Sequence, residues 1–234
     1  AGQSRYAALA AALRARIVAG EWPPSSALPA EQNLAAEHRV ALGTMRRALQ
    51  LLAEQGLIER MHGRGTFVRG GLAGAHMARF FRFGAESGEV PASRILERKS
   101  RAAPSAVAQA LGIGPGEGVL RLLRLRSFGG QPCLLEEIWL PLPRFEALAA
   151  SDTTDWGDLL YPAFARLCGV HVHRAVDEIG FGLLGAAQAA HLKLPTGHPC
   201  ALVSRRAYDL TGQCVEWRQT RGDANAFHYT VTIT

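Results

Sequence analysis

Apolar residues recur at helical spacing through the first third of the chain and at strand spacing through much of the rest. Tyr6, Leu9, Leu13 and Ile17 predict an amphipathic helix over residues 4–19 that stops at Gly20, before Trp22-Pro23-Pro24 breaks the chain. Leu28-Pro29-Ala30-Glu31 reads as a helix entry. Its proline lies in the first turn and its glutamate near the positive end of the dipole, and the helix runs to about His38. After the His38-Arg39-Val40 corner, Met45, Ala48, Leu49 and Leu52 give a second helix one buried stripe and leave Gly43, Arg46, Arg47 and Gln50 facing outward. Gly56 falls where a helix C-cap belongs. Leu57-Ile58-Glu59-Arg60 and Thr66-Phe67-Val68 have strand character around a His62-Gly63-Arg64-Gly65 tip. Two helices crossed by a tight turn and followed by a small β-wing make a winged helix-turn-helix, which points to double-stranded DNA.

Residues 69–90 are rich in glycine and hold an Arg/Phe cluster, the composition of a linker, so the chain divides into a DNA-binding domain (1–70), a linker (71–88) and a second domain (89–234). Beyond the linker the pattern predicts strands over 93–101, 119–128 and 133–140, the last two joined by Gly129-Gly130, and helices over 104–111 and 156–168. A strand over 170–181, a helix over 184–192 and strands over 201–210, 214–218 and 227–234 complete the chain, an α+β layer fold with an antiparallel sheet. The stretch from Leu111 to Glu136 aligns with that from Leu192 to Glu216 across one small gap, placing Gly116 on Gly197, Arg124 on Arg205 and Glu136 on Glu216.

Composition narrows this picture. With 234 residues, 48% of them hydrophobic, two cores are affordable. No apolar run is long enough to span a membrane and no signal pattern opens the chain, so a cytoplasmic protein is expected. Cys133, Cys168, Cys200 and Cys214 form no C-x-x-C pair, and no metal or cofactor is expected from them. The net charge of +6 is uneven: residues 1–70 carry nine arginines against five glutamates, whereas the remainder is close to balanced.

The stretch from Tyr6 to Val68 resembles the DNA-binding domain of the GntR family of bacterial transcription regulators. Leu28-Pro29-Ala30-Glu31 stands for that family's LPSE, and Gly65-Thr66-Phe67-Val68 for its wing. The resemblance implies DNA contacts at Gln32, Gly43, Thr44, Arg46 and Arg47 and at the wing residues His62, Gly63 and Arg64. The chain departs from the family where Ala41-Leu42 replaces a Ser-Arg and Gln32 replaces an arginine, which removes two cationic contacts and a hydroxyl cap.

Residues 89–234 resemble the UTRA effector-binding domain of the HutC subfamily. The resemblance rests on Arg124-Leu125-Arg126, Gly130-Gln131-Pro132, an acidic residue before Trp139-Leu140-Pro141, Leu194-Pro195 with Gly197 and Pro199, and Val215-Glu216 after Gly212. It implies a chorismate-lyase-like fold, a homodimer, and a small effector of phosphosugar or carboxylate type held by Arg124, Arg126, Glu136 and Glu216. Arg124 and Arg126, two residues apart on a strand, share one face and can grip an anion in bidentate fashion, the alternative being a solvated rim of the sheet. A two-residue turn at Gly129-Gly130 aims Glu137 at that face, and a turn one residue longer aims Glu136. The tyrosine customary after the second glutamate is absent, with Trp217 and Arg218 in its neighbourhood. His171 and His173 fall on one face of an expected strand without a third metal ligand. Two other classes compete with an effector-controlled regulator. An enzyme lacks a nucleophile–base constellation here, and an architectural DNA binder would leave the second domain without a polar cleft.

Overall fold

Alanine and leucine stripes at helical spacing form the three helices of the N-terminal unit. The computed structural model describes residues 5–23, 25–61, 63–69, 82–83 and 90–228 and separates into two compact units, Ala1–Gly71 and Leu72–Thr234. Helix α1 (Arg5–Val18) buries Leu9, Ala10, Leu13 and Ile17. Helix α2 (Glu31–Glu37) buries Leu34 and Ala35, and α3 (Leu42–Glu54) buries Met45, Ala48, Leu49 and Leu52. The α2–α3 corner turns on Arg39, held at φ 51° in the left-handed region that glycine adopts most cheaply. Helix α3 ends in a Schellman arrangement, with Gly56 at φ 73°, its N–H donating to the Ala53 carbonyl and that of Leu57 to Leu52. The wing follows as β1 (Ile58–Met61) antiparallel to β2 (Gly65–Val68), from Ile58 opposite Val68 to Met61 opposite Gly65. Residues 25–28 pair with the outer side of β2 through Leu28 N–H to the Thr66 carbonyl and Val68 N–H to the Ser26 carbonyl. His62 lies outside the described residues, as does the expected linker apart from Arg82–Phe83.

The second unit is a six-stranded antiparallel sheet in the order β4-β5-β6-β9-β8-β7, built from β4 (Ala92–Ala102), β5 (Gly118–Phe128), β6 (Gln131–Pro141), β7 (Arg174–Leu183), β8 (Pro199–Tyr208) and β9 (Cys214–Asp223). Helix α4 (Ser105–Leu111) joins β4 to β5, and α7 (Ala186–Leu192) joins β7 to β8. The sheet is therefore two strand–helix–hairpin halves meeting at β6 and β9, the arrangement that the internal repeat implies. One sheet face packs Leu120, Leu122, Ile138 and Leu140 against Phe145, Leu148, Phe164 and Tyr161 of α5 (Leu142–Ala150) and α6 (Leu160–Cys168). The opposite face carries α4 and α7. A separate two-stranded piece pairs β3 (Arg82–Phe83) with β10 (Phe227–His228). No helix among the described residues is long and apolar enough to cross a membrane.

Several expected elements differ. The helix expected over 156–168 is a 3₁₀ turn at Thr153–Trp156 and then α6, because Gly157, at φ 67°, turns the chain between them. Helix α5 carries little sequence signal, entering from a strand that ends at Pro141 with Pro143 in its first turn. The strand expected from Val170 begins only at Arg174. Val170 and Val172 drop into the core under α6, and pairing starts once Arg174 faces Tyr208. His171 and His173 consequently lie in irregular chain flanking buried Val172, not on one strand face. Strand β9 runs five residues past the expected Arg218, because Gln219 to Asp223 keep partners on β8. Of the strand expected over 227–234, Phe227–His228 pair with β3 and residues 229–234 lie outside the described ones.

Candidate functional site

The register of the β5–β6 hairpin decides which carboxylate meets the arginines. The loop is the two residues Gly129-Gly130, but a bulge places Cys133 as an extra residue beyond Ser127–Pro132, so Arg124 faces Glu136 and Leu123 faces Glu137. The two-residue turn alone had aimed Glu137 at the arginine face. The bulge, with Cys133 Sγ 3.3 Å from the Arg126 carbonyl, reverses that choice. Glu137 instead pairs with Arg121 on the other side of the sheet, 2.6 Å away.

Arg124, Glu136, Glu216 and Arg218 are all buried, which removes the solvated-rim alternative for Arg124. Arg124 Nε donates to Glu136 Oε2 at 2.5 Å, Arg218 Nη1 to Glu136 Oε1 at 3.2 Å, and Arg218 Nη2 to Glu216 Oε2 at 2.7 Å. The Tyr161 hydroxyl on α6 closes the chain by donating to Glu216 Oε1 at 3.1 Å. Arg126 is half-buried and donates from Nη2 to the Pro91 carbonyl at 3.1 Å. Arg205 is held apart by a bidentate grip on Asp177, at 2.6 and 2.5 Å. In the observed register Arg205 faces Arg218 while Glu216 faces Ala207, so the two halves, similar in topology, do not carry equivalent charge pairs.

Three cations thus surround two carboxylates, and the surplus is felt. Burial pushes the Glu136 carboxyl up, yet Arg124, Arg218 and Arg126 hold it well below the usual carboxylate range. Burial draws the Arg124 guanidinium down to about 10, and Arg218 and Arg126 add repulsion against the attraction of Glu136. Burial likewise opposes the charge on Arg218, but Glu216 and Glu136 outweigh it and hold that group above its ordinary value. Among the described residues, Arg124 Nη1, Arg126 Nε and Arg218 Nε are buried donors with no hydrogen-bond partner. A group of this kind is costly unless an acceptor arrives. Sequence reasoning missed Arg218 and Tyr161. Arg218 was visible only as a cation near the absent tyrosine, and Tyr161 gave no signal beyond its helix.

In the N-terminal unit, Gln32, Gly43, Arg46 and Arg47 are exposed on the outer side of the helix pair and Thr44 is half-buried, while Gly63 and Arg64 are exposed at the wing tip. Ala41 starts α3 without a side-chain cap. Arg46 gives its Nε to Glu31 at 2.9 Å, and Arg60 reaches the same carboxylate at 3.1 Å. The Arg47 guanidinium lies 5.7 Å from the Tyr6 ring centroid. A cleft of about 430 Å³ beside the start of α3 is lined by Arg5, Tyr6, Gly43, Thr44 and Arg47, so α1 places Arg5 and Tyr6, neither of them among the DNA contacts expected from the sequence, beside Gly43, Thr44 and Arg47. Among the described residues no cluster of three His, Cys, Asp or Glu side chains can hold a metal ion.

Comparison with known proteins finds two family matches along the chain. Residues 5–68 match bacterial regulatory proteins of the gntR family, and residues 86–228 match the UTRA domain. The HTH-type transcriptional repressor NagR of Bacillus subtilis (strain 168) is 27% identical over 225 residues, 93% of this chain and 90% of that protein. A protein of Escherichia coli (strain K12) named as the probable transcriptional regulator PhnF is 30% identical over 212 residues, 88% and 81% of the respective chains. The crystal structure of PhnF from Mycobacterium smegmatis superposes with a TM-score of 0.58 at 28% identity, covering 96% of this chain and 98% of that one. These families and relatives are transcription regulators, not enzymes.

Proposed function

Because the chain belongs to the GntR family of bacterial transcription regulators, in the HutC branch that carries a UTRA domain, we propose that it is a cytoplasmic repressor whose hold on operator DNA is released by a small anion bound among Arg124, Arg126, Glu136, Glu216 and Arg218. The observation that carries this reading is the set of three buried guanidinium N–H groups without acceptors, on a cluster with one cation more than its carboxylates balance. A phosphate or carboxylate supplies both the missing acceptors and the missing charge. The name of the Bacillus subtilis relative, a repressor, supports the sign of the regulation.

Operator contact is assigned to Gln32, Gly43, Thr44, Arg46 and Arg47 on the helix-turn-helix and to His62, Gly63 and Arg64 on the wing. Arg64 enters the minor groove and Arg46 and Thr44 hold the backbone. A homodimer is the working form, since one winged helix reads a short half-site and two-fold proteins mirror their operators. Anion binding changes the spacing of the two DNA-binding domains through residues 71–88.

The test is operator binding by fluorescence anisotropy with sugar phosphates and small carboxylates titrated in. A cognate anion is expected to weaken operator binding by a factor in the range of about 5–150, the span of ordinary allosteric coupling. Arg124→Ala should lose that response while keeping anion-free operator affinity. An Arg124→Ala protein that responds like the parent would show that the anion acts elsewhere.

A further inference from the structure

On the sheet face opposite the buried arginines, the end of α7 and the first residues of β4 enclose a second cleft, of about 470 Å³. Its floor is Leu125, whose chain neighbours Arg124 and Arg126 point to the other face, and its rim carries Arg94, which stands opposite Leu125, with His191, Lys193 and the hydroxyl-bearing Ser127. No carboxylate lines it among the described residues. Its volume lies within the range of small-molecule sites, and an apolar floor under a cationic, hydroxyl-bearing rim is the usual form of such a site for an organic anion.

The backbone adds an independent observation. Lys193 caps α7 at φ 56°, in the left-handed region where glycine or asparagine is the ordinary occupant. Lys193, which lines the cleft, is held there at the expense of local strain, and strained positions of this sort gather at binding sites.

We propose that this cleft is a second anion site, separate from the Arg124 cluster, that takes a small organic anion with an apolar body against Leu125 and a phosphate or carboxylate head between Arg94, His191 and Lys193. The two sites lie back to back across one strand, so that one chain holds two anions at once.

Isothermal calorimetry with phenyl phosphate and with benzoate, on the full chain, tests this and distinguishes the two head groups. The expected result is an equivalent of one of these probes per chain that disappears in Lys193→Gly and weakens severalfold in Arg94→Ala, while Arg124→Ala leaves it in place. Lys193→Gly relieves the left-handed strain, so its Tm is expected to equal or exceed that of the parent, and a loss of binding is then not a loss of fold. If neither probe binds, or if every bound equivalent survives Lys193→Gly and vanishes only with Arg124→Ala, the second site does not exist. A single equivalent sensitive to Lys193 but not to Arg124 would uphold this site and count against the anion reading of the other one.

Discussion

Glu136 is the residue on which the effector cluster turns, because it is the carboxylate that three arginines share. Replacing it with glutamine leaves Arg124 buried beside two other cations. Removing one partner of a buried pair typically costs about 3–5 kcal/mol, so Glu136→Gln should lower the urea midpoint of the UTRA unit sharply. A phosphate-bearing effector should recover part of that loss, since it returns negative charge to the same place. The pH dependence follows in sign. The folded-state value of Glu136 lies below its ordinary 4.5, so its contribution is complete above about pH 4.5 and drains away as pH falls through the folded-state value. Chemical denaturation at a series of acidic pH values should therefore show a steep acid limb in the parent and a flatter one in Glu136→Gln. Equal limbs in the two proteins would remove Glu136 from the account. At this scale the Arg-x-Arg spacing made Arg124 and Arg126 legible, because period-two alternation fixes their common face. Arg218 was not legible, since its role depends on a cross-strand register between β6 and β9, eighty residues apart in sequence, that no local pattern encodes.

Among the elements, the helix-turn-helix was legible in its stripes, its Gly56 cap and its wing, which are all local signals, but not at its entry. Helix α2 begins at Glu31 with Ala30 as its N-cap, so Pro29 precedes the helix instead of lying in its first turn, because Ala27 and Leu28 are tied to the wing strand β2. The sheet was legible as strands but not as a register. One bulge at Cys133 exchanges Glu137 for Glu136, and a glycine at 157 divides one helix in two. The α2–α3 corner gives a stability prediction. Arg39 sits at φ 51°, a conformation costing a non-glycine residue roughly 1–2 kcal/mol. Arg39→Gly removes that strain and adds some unfolded-chain freedom, so a small net gain in Tm of the N-terminal unit is expected in calorimetry. A lower Tm would mean that the Arg39 side chain holds the turn. The DNA surface gives another prediction. With Ala41-Leu42 where the family has Ser-Arg, and with Arg46 partly committed to Glu31, binding should lean on the wing. Arg64→Ala should cost more operator affinity than Arg47→Ala. Leu42→Arg should raise affinity and steepen the salt dependence, each new phosphate contact adding a slope of about −0.9 in log K against log salt. Anisotropy across a salt series measures all three. An unchanged slope in Leu42→Arg together with a silent Arg64→Ala would mean that the domain docks in another orientation.

For the whole molecule, control of DNA by an anion requires that two winged helices be held at a distance that the C-terminal unit can change. In the homodimer proposed above, a second copy of the chain joins through that unit, and the sheet offers one edge suited to it. Strand β4, at one edge, exposes Arg98, Lys99 and Arg101, the charged kind of edge that resists pairing. Strand β7, at the other, exposes Phe181 and Leu183 to 71% and 70% with Ile179 beside them, large apolar side chains seldom left in water along an unpaired strand. Two β7 edges related by a two-fold axis can pair antiparallel and bury each other's apolar residues. Such an isologous contact matches a palindromic operator. Phe181 also meets Phe227, ring centroids 6.3 Å apart, and Phe227 lies on β10, which pairs with β3 in the stretch between the wing and the sheet. A contact at β7 is thus one aromatic pair away from the segment that leads back to the DNA-binding domain. Phe181→Glu places a charge in the middle of this edge. It should convert a dimer into a monomer in light scattering at micromolar concentration and weaken binding to a palindromic operator far more than to a single half-site. It should leave the far-ultraviolet circular dichroism and the calorimetric response to a cognate anion unchanged, because the Arg124 cluster is held by β5, β6 and β9, with β8 standing between it and this edge strand. If Phe181→Glu remains dimeric with full operator affinity, the copies join elsewhere, and the β7 edge has no part in holding the half-sites at their spacing.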